Sequence, residues 1–177
     1  MKKEFFVLTL VVIVFWLLWT LPVSAQTAGD YEYATLDGTA AIISYHGDGG
    51  NVSIPSALNG IPVTRISSFA FAGCDSITAL TVPDTLTSIG ECAFQGCTSL
   101  NSLTVGINVA DMAAGAFRDC IALTYVFWNA ASVHGFAMDH QVFANAGTAK
   151  TGICVVFGDS VETIPHHLFF AEDAKKR

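Results

Sequence analysis

The segment Ala70-Phe71-Ala72-Gly73-Cys74 returns 23 residues later as Ala93-Phe94-Gln95-Gly96-Cys97, and again after 23 as Ala116-Phe117-Arg118-Asp119-Cys120. A fixed step of this size marks a stacked repeat, and it constrains the fold more than composition does. Four apolar columns keep the same step: Ile66, Ile89 and Met112; Ile77, Leu100 and Leu123; Leu80, Leu103 and Val126; Val82, Val105 and Trp128. Beyond them the spacing loosens. Phe143 follows Phe117 by 26 residues and Phe169 follows Phe143 by 26, while Val161-Glu162-Thr163-Ile164 aligns with Leu86-Thr87-Ser88-Ile89. The reading is of about five units over residues 52–177, the last one incomplete.

Within a unit, Leu103 and Val105 alternate around Thr104, the period-two pattern of a short strand with one buried face. Thr81, Thr104, Phe127 and Val156 then form an outward column. Pro83 or Gly106 closes the strand, a second apolar pair such as Leu86 and Ile89 follows, and the Ala-Phe motif turns the chain inward. One such unit cannot bury its own apolar face, so neighbours must stack. The expected fold is a β-rich solenoid with a parallel strand ladder, joined by short turns or helical segments. Phe71, Phe94 and Phe117 form an aromatic ladder inside it, with Cys74, Cys97 and Cys120 as a parallel column of small buried side chains.

Residues 1–25 read as a secretory leader. Lys2 and Lys3 open it, an apolar run from Phe5 to Leu21 follows, and Pro22 precedes the small-residue site Val23-Ser24-Ala25. Left uncleaved, this run would be the chain's one contact with a membrane. Cleavage after Ala25 leaves six basic against fourteen acidic residues, a net charge of −8. Three of the six basic residues are the terminal Lys175-Lys176-Arg177, so no basic stripe is available for nucleic acid.

The five cysteines are Cys74, Cys92, Cys97, Cys120 and Cys154. Stacked coils stand about 5 Å apart, a distance a disulfide accepts, but three thiols in one column cannot all pair with one another. Free, buried thiols are expected there, and Cys154 is expected to be the most accessible. No Cys-x-x-Cys is present, and His46, His134, His140, His166 and His167 show no metal-ligand spacing. Neither a nucleophile elbow nor a phosphate loop occurs, so no catalytic residue, metal or cofactor is assigned. Asn51-Val52-Ser53 forms a glycosylation sequon. The lengthened segment 129–152, with Trp128 at its start, Phe136 within it and the small-residue run Ala144 to Ala149, is read either as a binding-face insertion or as a degenerate repeat that merely packs.

The stretch from Leu80 to Leu100, with Pro83, Ile89-Gly90, Ala93-Phe94 and Gly96-Cys97 in place, resembles the repeat of BspA-like leucine-rich-repeat proteins. Val52-Ser53-Ile54-Pro55 and Asn59-Gly60-Ile61-Pro62-Val63-Thr64-Arg65-Ile66 resemble that family's opening unit. Tyr31, Tyr33, Gly38, Thr39 and Gly47-Asp48-Gly49-Gly50 resemble its N-terminal hairpin cap, placed here at residues 26–51. Gly106 and Met112-Ala113 depart from the pattern. The resemblance implies a leucine-rich-repeat stack that is secreted or displayed on the cell surface. It also implies a binding or adhesion module for a protein or glycan of a cell surface or matrix, not an enzyme. The alternative is a structural fragment or degenerate copy of a larger surface protein. The expected binding residues are Thr81, Thr104 and Phe127. Phe127 either anchors a partner or packs beneath segment 129–152, and the terminal coil is expected to allow self-association.

Overall fold

The computed structural model describes residues 24–133, 141–149 and 152–163. Most of the leader, together with Phe136, Phe169 and every histidine but His46, lies outside them. The elements are all strands: β1 (Gln26–Ala28), β2 (Tyr31–Leu36), β3 (Thr39–Tyr45), β4 (Gly50–Ser53), β5 (Ala57–Leu58) and β6 (Ile61–Ile66). They continue as β7 (Ile77–Thr81), β8 (Ser88–Ile89), β9 (Ser102–Val105), β10 (Asp111–Met112), β11 (Tyr125–Trp128) and β12 (Cys154–Phe157). Among the described residues there is no helix, and the Ala-Phe segments form turns.

The N-terminal strands are antiparallel and are joined by the turn their residues require. Asp37 and Gly38 both have positive φ, 50° and 74°, between the paired residues Leu36 and Thr39. This is the primed two-residue turn, whose twist suits a hairpin. Asn59 and Gly60, at 49° and 80°, make the same turn between β5 and β6. From β3 onward the chain coils. β3, β6, β8 and β10 pair in parallel in one sheet, and β4, β7, β9, β11 and β12 form a second sheet that is parallel throughout.

A third side of each coil is built by the turns, which bond to one another like strands. Phe71 N–H donates to the Ala93 carbonyl, Phe94 N–H to Ala116 and Phe117 N–H to Val142, each at 2.8 Å. Gly73, Gly96 and Asp119 repeat the pattern two residues on, bonding Gln95, Arg118 and Ala144 at 2.7, 2.9 and 2.8 Å. The turn groups that would otherwise be orphaned are thus satisfied by the next coil. The lengthened segment keeps this order where it is described: Val142 and Phe143 are buried and continue the stack.

The phenylalanine ladder occupies the centre. Phe71 and Phe94 have ring centroids 4.7 Å apart, Phe94 and Phe117 5.0 Å, and Phe117 and Phe143 5.2 Å, all stacked. At the N-terminal end the ladder is completed by Tyr45, stacked at 5.0 Å on Phe71. Tyr31 packs against both rings at the same end. Burial raises its phenol to about 12, ahead of the effects of Tyr45 and Asp30, and the hydroxyl donates to the Ser53 carbonyl of β4 at 3.4 Å.

The cysteine column has a bonding role of its own. The Cys97 thiol donates to the Phe71 carbonyl and the Cys120 thiol to the Phe94 carbonyl, each at 3.3 Å, so each pins the ladder residue of the coil before. Cys74 departs from the expected burial. It is only partly covered, because the coil before it carries Gly47-Asp48-Gly49-Gly50 in place of another Ala-Phe-Gly-Cys turn. All five cysteines are free thiols.

Candidate functional site

The five-stranded sheet presents its outward side chains in two registered columns. Ser53, Thr81, Thr104, Phe127 and Val156 face one another across successive strands. Asn51, Ala79, Ser102, Tyr125 and Cys154 form the second column. Strands pair about 4.8 Å apart, so each column is a straight row at a near-constant rise. Thr81 is exposed, Thr104 half-buried and Phe127 42% exposed, so the aromatic ring meets solvent.

The composition of this face changes along the stack. Its early coils carry Ser, Thr, Asn and Ala, whereas its last two carry Tyr125 (52% exposed), Phe127 and Val156 (45%). Tyr125 is the site residue that sequence reasoning missed. The signal was present: with Val126 buried, alternation puts both Tyr125 and Phe127 outward. Trp128, by contrast, is wholly buried.

Beside the strand starts of the last coils lies an open groove of about 1010 Å³. Thr98, Ser99 and Asn101 line one wall, Thr124 and Tyr125 the floor of the next coil, and Gly152, Ile153 and Cys154 the far side. The Thr124 hydroxyl donates to the Asn101 carbonyl at 3.1 Å, and the Cys154 N–H donates to the Thr124 carbonyl at 2.7 Å, fixing the three coils relative to one another.

No cluster of His, Cys, Asp and Glu among the described residues could hold a metal. His46 lies 3.7 Å from Glu32 in the N-terminal hairpin region, remote in sequence from the groove.

The thiols differ enough in environment to be told apart chemically. The neighbouring Cys97 thiol, then burial, drives the Cys120 thiol far above the ordinary range, and burial raises Cys74 as well. Only the thiolate attacks a thiol reagent. In native protein Cys154 should therefore be modified first and Cys74 more slowly, with Cys97 and Cys120 modified only after denaturation. Peptide mass spectrometry after timed alkylation checks this order. Modification of Cys97 without denaturant would contradict the buried column.

The family model described as BspA type Leucine rich repeat region matches residues 64–172 in six copies. Solved structures share the fold. A leucine-rich repeat protein from Bacteroides capillosus is 29% identical with a TM-score of 0.62, over 76% of this chain and 99% of that one. A leucine rich repeat protein from T. pallidum is 22% identical with a TM-score of 0.60, over 76% of this chain, which spans 65% of that protein's length. A leucine rich cell surface protein from Faecalibacterium prausnitzii is 25% identical with a TM-score of 0.54, over 78% of this chain and 44% of that one. No curated protein matches. With the repeat match covering more than half of its length, and with the parallel strand ladder those repeats build, the chain belongs to the BspA-type leucine-rich-repeat family.

Proposed function

We propose that this chain is an exported binding module that docks a protein of a cell surface or matrix on its outward strand face, with Phe127 as the anchor. The observation that carries the reading is the change along the outward column from Thr81 and Thr104 to the exposed ring of Phe127 and Val156. A large exposed aromatic held on a rigid strand loses little side-chain entropy on binding, and such residues dominate interface energies. The reading calls for no catalytic residue, metal or cofactor. Export is supported by the charged start, apolar run and small-residue site of residues 1–25. The similar F. prausnitzii protein is described as a cell surface protein. The form to assay is the chain beginning at Gln26, and the mass of exported material checks that start.

The test is surface binding to immobilised matrix proteins, with wild type beside Phe127→Ala. The variant should bind about tenfold more weakly or worse, and Thr81→Ala should change little. Equal binding by wild type and Phe127→Ala would remove Phe127 as the anchor. Self-association is proposed through β12, which stands at the edge of its sheet among the described residues and offers a second copy a strand to pair with. Light scattering across a concentration series reads it. A monomer that binds no matrix protein would favour a structural role as a degenerate copy of a larger surface protein.

A further inference from the structure

We propose that the groove beside Tyr125 binds a neutral oligosaccharide. The proposal rests on the reading of the chain as a binding module and adds a second ligand class at a site distinct from Phe127. Its first support is the chemistry of the walls. Thr98, Ser99 and Asn101 stand exposed, and their side chains hold no hydrogen-bond partner among the described residues. Hydroxyls and an amide both donate and accept, which matches the paired donor and acceptor character of sugar hydroxyls. The Thr124 hydroxyl spends its proton on the Asn101 carbonyl, which leaves its lone pairs to accept.

The second support is Tyr125, 52% exposed, with Ser102 and Cys154 rather than another large ring on either side in its column. An exposed aromatic flanked by small side chains leaves an apolar surface with a polar tip, suited to the C–H face of a pyranose. The third is what the lining lacks. No Lys, Arg, Asp or Glu stands among the described lining residues, so those residues carry no charge to select a phosphorylated, sulfated or cationic ligand. β9 and β11 are each paired on both sides, so the middle of the groove offers an extended peptide no strand edge.

Shape favours a chain of sugars over a single one. The volume of about 1010 Å³ lies at the top of the ~300–1,000 Å³ range of small-ligand sites. The groove is open and crosses three coils, and the coil-to-coil rise of about 4.8 Å is comparable with the advance of one pyranose along an extended glycan. Asn101, Thr124 and Ile153 precede successive strands, so consecutive sugar units would meet consecutive coils.

The experiment is calorimetric titration of the chain from Gln26 with cellohexaose, maltohexaose, mannohexaose and xylohexaose, beside a heparin hexasaccharide. At least one neutral sugar should bind, with Tyr125→Ala and Asn101→Ala each weakening it about tenfold, and Glu91→Gln, at an exposed position outside the groove, leaving it unchanged. Circular dichroism and denaturation midpoints confirm that the variants are folded. Absence of binding by all four neutral sugars, wild-type affinity in both groove variants, or preference for heparin would each overturn the proposal. The two readings separate cleanly. Phe127-dependent protein capture without sugar binding overturns the groove alone, and sugar binding without Phe127-dependent capture overturns the protein-docking face alone.

Discussion

Phe94→Ala is expected to destabilise the protein by about 3–5 kcal/mol, read as a shift in the chemical-denaturation midpoint. Phe94 is fully buried and lies between Phe71 at 4.7 Å and Phe117 at 5.0 Å, so truncation opens a cavity with a stacked ring on each side. The backbone around it has little freedom to collapse. Its own N–H is bonded to the Ala116 carbonyl, and its carbonyl accepts from the Cys120 thiol at 3.3 Å, so the neighbouring coil holds the walls apart. Because each coil contacts only its neighbours, losing one central ring also weakens the coupling between the N-terminal and later coils. A broadened transition should accompany the lower midpoint. Thr104→Ala on the outward column should change stability by no more than about 0.5 kcal/mol. Equal losses at the two positions would mean that the inward and outward faces had been exchanged.

The contrast between those two residues was legible in the sequence because it follows from a fixed period. Three copies at a step of 23 place Phe71, Phe94 and Phe117 in equivalent environments, and alternation separates Leu103 from Thr104. What the period cannot reach is what happens at its ends. Tyr45 completes the ladder although it precedes Phe71 by 26 residues and lies in a hairpin strand, outside any Ala-Phe motif. Cys74 shares a column with Cys97 and Cys120, yet it is partly exposed because a column specifies only what is common to its members and not the missing neighbour of the first. Trp128 follows Val82 and Val105 inward, but its Nε1 donor is buried without a hydrogen-bond partner among the described residues, a detail that no pattern of hydropathy discloses.

The candidate site was legible to a similar degree. Thr81, Thr104 and Phe127 are in register as read, and Tyr125 needed only the same alternation applied one residue earlier. The groove was not readable at all. Its walls come from residues 98–101, 122–125 and 152–154, and the last of these enters only after the irregular spacing beyond Phe117. A groove made by stacking depends on how far apart successive coils leave their turns, which a one-dimensional period does not encode.

Glycines in the repeat give the second large effect, and they separate two physical reasons for the same residue. At Gly90 the reason is space. A Cβ there would stand 2.5 Å from the Ser68 nitrogen, 2.7 Å from the Ser67 carbonyl carbon and 3.0 Å from the Ile66 oxygen, all backbone atoms of the preceding coil. Those atoms cannot rotate away as a side chain would, and the Gly90 N–H is bonded to that same Ile66 oxygen at 2.9 Å. Ala113 holds the corresponding place one coil on, so a methyl group is tolerable where the coils are spaced for it, and beside Ser67 and Ser68 they are not. Gly90→Ala should therefore cost about 1–3 kcal/mol, as overpacking does. At Gly73 the reason is conformation: its φ is +74°, and nothing lies within 4 Å of an added Cβ. Gly73→Ala should cost about 1 kcal/mol, the penalty of a left-handed backbone for an ordinary residue. Asp119 and Asn145 occupy the same column at φ 60° and 58°, so Gly73→Asn should recover most of that loss. Gly90→Asn should recover nothing, because asparagine eases a backbone angle and not a collision. Denaturation midpoints of the four variants decide between the two reasons. If asparagine rescues Gly90 as well as Gly73, the close approach of the coils at Ser67 and Ser68 is not what selects glycine there.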